Sequence, residues 1–228
     1  MRLLLIAALL FGLTACTQSR GFDRVHMRSQ ISSIQVDQKE EMKVQPSELP
    51  GPFKLAVYFA PSNLPPSDQY GWNWKGEDTE KVLSLQQDLK AKNIVSEIVS
   101  LPSSLVAGDN LEAIRSAAAR AGADAVLVVN GVSDIDRYNN SLGPTYALLI
   151  TPFFVPGTEV DSLFLVNATM WDVRNESLYM SVETEGMAKE TAGAFQIYEK
   201  PLIHQAKSNA LTGLRNEIAI RLNKMNKG

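Results

Sequence analysis

The sequence holds one cysteine, Cys16, and two widely separated histidines, His26 and His204. That scarcity excludes an internal disulfide framework and any Cys/His metal cluster. Charge of one sign is also lacking. The 22 Lys and Arg stand against 25 Asp and Glu, a net −3, which gives no footprint for nucleic acid or an anionic lipid surface. No G-x-S-x-G elbow, P-loop, G-x-G-x-x-G or H-E-x-x-H occurs, so neither an enzymatic activity nor a cofactor is expected. No repeat or low-complexity segment is present. What remains is 228 residues, 45% hydrophobic and 21% charged, the balance of one water-soluble domain with a real core.

The N-terminus is distinctive. Met1 and Arg2 precede an apolar run over 3–11, too short to span a bilayer and the right length for the core of a secretory signal. Behind it, Leu13, Thr14, Ala15 and Cys16 form a stretch that resembles the bacterial lipoprotein box. The resemblance implies cleavage after Ala15, transfer of a diacylglycerol to the Cys16 thiol, and acylation of the new amino group by a palmitate-type chain. Two or more chains make a stable anchor where one gives only marginal binding. Thr17 stands where lipoproteins retained in the inner membrane carry Asp, so the resemblance points to the outer membrane, with the domain in the periplasm or at the cell surface.

Three segments are expected: a signal peptide over 1–15, a flexible lipid-anchored tether over 16–53, and a single α/β domain over 54–226. The domain opens with an apolar strand at 55–60, halted by Pro61. A proline-rich loop carrying Tyr70, Trp72 and Trp74 follows, then a helix over 77–92 capped by Asp78 or Thr79. A strand at 94–101 leads to a helix capped by Asn110 and stopped by Gly122. The apolar run 123–131 has the character of a central strand covered on both faces. This βαβαβ order predicts a parallel start to a three-layer-like mixed sheet. Antiparallel strands are then expected at 146–155, 162–173 and 177–189, the last two joined as a hairpin through Arg174, Asn175 and Glu176. A long C-terminal helix over 199–226 carries a stripe of Ile203, Ala206, Ala210, Leu214, Ile218, Leu222 and Met225.

The run from Ala121 through Gly122, Ala123 and Asp124 to Gly131, with the hairpin from Ala168 through Trp171 and Asp172 to Tyr179, resembles the core of the curli-secretion lipoprotein superfamily. Within it, Phe154 to Thr158 and Asp172 to Tyr179 look most like the rhombotarget-type lipoproteins. Asn175 and Glu176 stand where the superfamily usually has a hairpin glycine. The rhombotarget name implies a C-terminal sorting tail, whereas this sequence ends at Lys227 and Gly228 without an apolar segment.

Four groups are candidates for function. Asp134 and Asp136 point to one side of a strand end and could bind a cation or act in acid–base chemistry; the bland reading is a solvated strand end. His204 borders the apolar helix stripe and reads as a structural histidine. The run 148–155 could be a membrane hairpin, but it does not alternate and Pro152 interrupts it, which favours a buried or edge strand. Trp72 and Trp74 could form an aromatic platform for a partner, a glycan or the lipid interface, or could cap the core locally. The preferred function is an outer-membrane lipoprotein whose domain binds an envelope protein partner in assembly or secretion. The alternatives are a subunit of an oligomeric secretion channel like the curli exporter, and an envelope hydrolase.

Overall fold

The computed structural model describes residues 18–32, 49, 51–62, 64, 68, 70–108, 110–175 and 177–225. The expected signal peptide over 1–15 and the lipoprotein-like box, Leu13 to Cys16, lie outside the described residues. A five-stranded sheet forms the centre, in the order β2-β1-β3-β4-β5. The strands are β1 (Phe53–Phe59), β2 (Val95–Ser100), β3 (Ala125–Asn139), β4 (Thr158–Asp172) and β5 (Leu178–Ala192). β1 pairs parallel with both β2 and β3, and β3, β4 and β5 pair antiparallel, so the chain has the mixed sheet its pattern predicts.

Among the described residues five α-helices, α1 (Arg24–Ser32), α2 (Gly76–Leu83), α3 (Leu85–Ala91), α4 (Leu111–Arg120) and α5 (Glu199–Met225), pack on the sheet, and short 3-10 turns lie between β3 and β4. Strand alternation sends Leu127, Val129, Phe164, Val166 and Ala168 to one face, where α2, α3 and α5 cover them. On the opposite face α4 covers Val126, Val128 and Trp171, while α1 covers Val132, Leu163 and Leu165. α5 lies so close to β5 that a Cβ at Gly186 would run into the backbone of Ala206 and Ala210. The glycine and the two alanines permit that approach.

The motif residues of the sheet's lower end do structural work. The Asn110 side chain accepts from the Ala113 amide at 2.9 Å and starts α4. Gly122, at φ +73°, ends it. Asp124 Oδ2 accepts from the Lys54 amide at 2.9 Å, which ties the start of β3 to β1. Asp172 accepts from the Arg174 amide at 2.6 Å and from the Tyr179 hydroxyl at 2.5 Å, closing the β4–β5 hairpin without a glycine.

Three expectations change. The helix over 77–92 is broken at Ser84, whose hydroxyl donates to the Lys81 carbonyl at 2.7 Å and accepts from Arg215. The strand at 146–155 is absent: Gly143–Leu148 and Thr151–Phe153 are 3-10 turns, because Pro144, Pro152 and Pro156 cannot serve a strand ladder. The tether does not extend through 18–32. That segment is packed on the sheet, with Met27 and Ile31 buried.

Candidate functional site

β1 ends opposite Val129, whereas β3 continues to Asn139, paired throughout with β4. This projection carries the candidate residues. Val132, Asp134 and Asp136 point to the α1 face by alternation, and the segment from Ser19 onward docks on them. Asp136 Oδ2 accepts from Ser19 Oγ at 2.6 Å and from the Gly21 amide at 2.9 Å. Arg20 donates to Asp134 Oδ1 at 2.5 Å and to the Ile135 carbonyl at 2.7 Å. One turn on, Arg24 pairs with Glu185 and Arg28 with Glu183. The Arg24 hydrogen bond, assisted by the nearby guanidinium charges, holds the Glu185 carboxyl below its ordinary range despite partial desolvation. These exposed pairs contribute little singly. The buried apolar side chains of α1 and the doubly bonded Asp136, itself buried, carry the docking. The two aspartates are therefore neither a solvated strand end nor a cation site; they hold the N-terminal segment.

Trp72 and Trp74 occupy the loop after β1, as expected, but form no open platform. Trp72 is 6% exposed and packs edge-on against Phe164, with centroids 4.8 Å apart. Trp74 lies edge-on to Trp72 at 4.6 Å and to Phe59 at 5.0 Å, and its indole N–H donates to the Ala60 carbonyl at 2.6 Å. Gly131 makes the room, since a Cβ there would stand 2.6 Å from the Phe164 ring. The end of the parallel strands, where a ligand crevice could form, is filled by these rings, and the partner-platform reading of Trp72 gives way to core packing.

Beneath the indoles lies a group that sequence reasoning missed. Lys207 of α5 is 1% exposed, and its Nζ donates to Asp78 Oδ2 at 2.5 Å and to the Asn73 carbonyl at 2.6 Å. The ammonium sits 5.6 Å from the Trp74 centroid. Burial lowers the Lys207 pKa, and Asp78 opposes that shift. Asp78 also accepts from the Lys75 amide at 2.8 Å, so one carboxylate starts α2 and anchors α5 to it. The sequence signal was a lysine on the apolar stripe, one turn after Ile203. His204 Nε2 lies 3.1 Å from Glu77 Oε1 without hydrogen-bond geometry.

The loops at the projecting end also differ from expectation. Leu148, Leu149, Ile150, Phe153 and Phe154 are exposed rather than buried, Leu149 to 82% and Phe154 to 79%. They are nonetheless held in shape. The Tyr146 hydroxyl accepts from the Gly157 amide at 2.9 Å, Asn140 Nδ2 donates to the Pro156 carbonyl at 2.9 Å, and Thr151 Oγ1 donates to the Thr145 carbonyl at 2.5 Å. Among the described residues no helix is long and apolar enough to cross a membrane.

No family model matches the chain, and no curated protein does. Similar solved structures include the PelC dodecamer from Paraburkholderia phytofirmans (15% identity, 74% of this chain and 91% of that one, TM-score 0.31). The LpoB C-terminal domain from Salmonella enterica is 12% identical over 70% of this chain and 93% of that one, with a TM-score of 0.33. Lipoprotein GNA1162 from Neisseria meningitidis is 14% identical over 74% of this chain and 99% of that one, with a TM-score of 0.33. Bacterial lipoproteins thus stand among the similar structures, but likeness at these scores carries no function across.

Proposed function

We propose that the chain is an envelope lipoprotein, acylated at Cys16 and held in the outer membrane, whose α/β domain is a non-enzymatic binding module serving envelope assembly or secretion. The carrying observation is the box Leu13, Thr14, Ala15, Cys16 behind a short apolar core. The clamp on Asp136 adds support. Ser19 is three positions after Cys16, a reach of at most about 10 Å, so an acyl anchor there would hold the domain near the lipid surface. The absence of mechanistic motifs from the sequence favours binding over turnover. The curli-exporter alternative draws no support from 148–155, which forms 3-10 turns where a barrel hairpin would alternate along about nine to eleven residues.

Metabolic labelling with a fatty-acid analogue tests the anchor. The wild-type protein takes the label and fractionates with the outer membrane, and Cys16→Ser does neither. Equal labelling of both would contradict the reading. Crosslinking in intact envelopes, followed by identification of the captured proteins, then names the partner.

A further inference from the structure

We propose that the exposed apolar loops at the projecting end of the sheet are a lipid-contacting surface that seats the domain on the membrane; this rests on acylation at Cys16. β3 ends, β4 begins and β5 ends at one level, through the pairs Asn139–Thr158 and Thr158–Ala192. The β3–β4 loop and the β5–α5 loop therefore leave the sheet together. They also touch: the Phe153 ring stacks on Phe195 at 4.8 Å, and a Cβ at Gly193 would meet the Pro152 carbonyl at 2.5 Å. Leu148, Leu149, Ile150, Phe154, Phe195 and Tyr198 make one exposed apolar cap. Neither 140–157 nor 191–198 contains an Asp, Glu, Lys or Arg.

Charged groups begin immediately behind the cap. Lys189 bonds the Tyr138 hydroxyl at 3.0 Å and Glu159 at 2.5 Å on one face, and Arg137 pairs with Glu199 at 2.6 Å on the other. An apolar tip rimmed by charge, carrying aromatic rings at its edge, has the profile of a surface that enters the headgroup boundary without crossing the bilayer. Bonds within the loop hold it in shape while its large side chains face outward, so the cap is built rather than a collapsed linker.

The position of the anchor selects lipid as the occupant. Ser19 is bonded at the level of Asp136, three residues or about 10 Å from the end of β3. From there the segment runs away from the cap, since Arg24 meets Glu185 and Arg28 meets Glu183, nearer the middle of the sheet. Its upstream end is thus the one nearest the cap. Cys16, at most about 10 Å from Ser19, would bring its lipid to the same end of the molecule.

The test uses the full acylated chain in vesicles of phosphatidylethanolamine and phosphatidylglycerol with brominated acyl chains. Phe154→Trp places a reporter in the cap. Asn175→Trp places one at the β4–β5 turn, separated from the cap by the whole length of β4. Against the wild-type background, the tryptophan at 154 is expected to emit at shorter wavelength and to be quenched, and that at 175 to be unaffected. Vesicle flotation with no quenching at 154 would overturn the lipid-contacting surface and leave the anchor standing, and oligomers that shield 154 from bromine would do the same in favour of a second copy. Failure to float would remove the anchor, and the lipid assignment with it.

Discussion

Ser19 donates to Asp136 across 2.6 Å, joining the beginning of the described chain to a strand more than a hundred residues later. Asp136 also takes the Gly21 amide, so its removal strands two donors at once. Asp136→Ala is expected to cost about 1–3 kcal/mol. It should also speed tryptic cleavage at Arg20, Arg24 and Arg28, with the sheet intact by circular dichroism. Unchanged cleavage would mean that the clamp does not hold the segment.

The buried Lys207–Asp78 pair makes a different prediction. Lys207→Ala leaves the Asp78 carboxylate buried and unpaired, at an expected cost of about 3–5 kcal/mol, whereas Lys207→Met with Asp78→Leu should recover much of it. Because burial depresses the Lys207 pKa below 10.5, the unfolded chain binds more protons than the folded one between the folded value and 10.5. The Lys207 contribution to stability therefore rises with pH through that window. Denaturation series for wild type and Lys207→Met on the alkaline side should show the gap move in favour of the wild type.

Trp72→Ala is expected to destabilise the protein by about 3–5 kcal/mol, as large aromatic truncations in a core do. Gly131→Ala should cost about 1–3 kcal/mol by pressing on Phe164. Thermal unfolding reads both. A Trp72→Ala protein with the wild-type Tm would return the indole to a binding surface.

Burial alone would raise the Asp172 carboxyl, but the Tyr179 hydroxyl and the amides of Arg174 and Asn175 outweigh it and hold it below the ordinary carboxylate range. A group depressed in this way contributes stability above its unfolded value of about 3.8, which is lost as pH falls through the folded value. Tyr179→Phe is expected to cost about 1.5–3 kcal/mol near neutrality. The gap from wild type should narrow below about pH 4, as acid titration followed by circular dichroism would show.

Much of the α/β frame was legible because local chemistry and tertiary burial agree there. The apolar run 123–131 is a covered central strand, Asn110 and Gly122 bracket α4, and the polar turn after Asp172 closes a hairpin. Legibility failed where the deciding contact is distant in sequence. Asp134 and Asp136 looked like the solvated end of a strand because Ser19, Arg20 and Gly21 supply their partners. Leu148 to Phe154 looked like a strand because a run of apolar residues does not reveal whether anything covers it. Pro152 within it, Pro144 and Pro156 on either side, and the lack of charge were the available signals. Lys207 was passed over beside the stripe it belongs to, since only the fold brings Asp78 beneath it.

The central claim is the lipid on Cys16, and the tryptic N-terminal peptide of the envelope-extracted protein tests it most directly. Cleavage after Arg20 should release Cys16 to Arg20 as the mature terminus, carrying the mass of a diacylglyceryl group on sulfur and a fatty acyl group on nitrogen. A peptide running unbroken from Leu3 to Arg20 with an unmodified Cys16 would contradict the account.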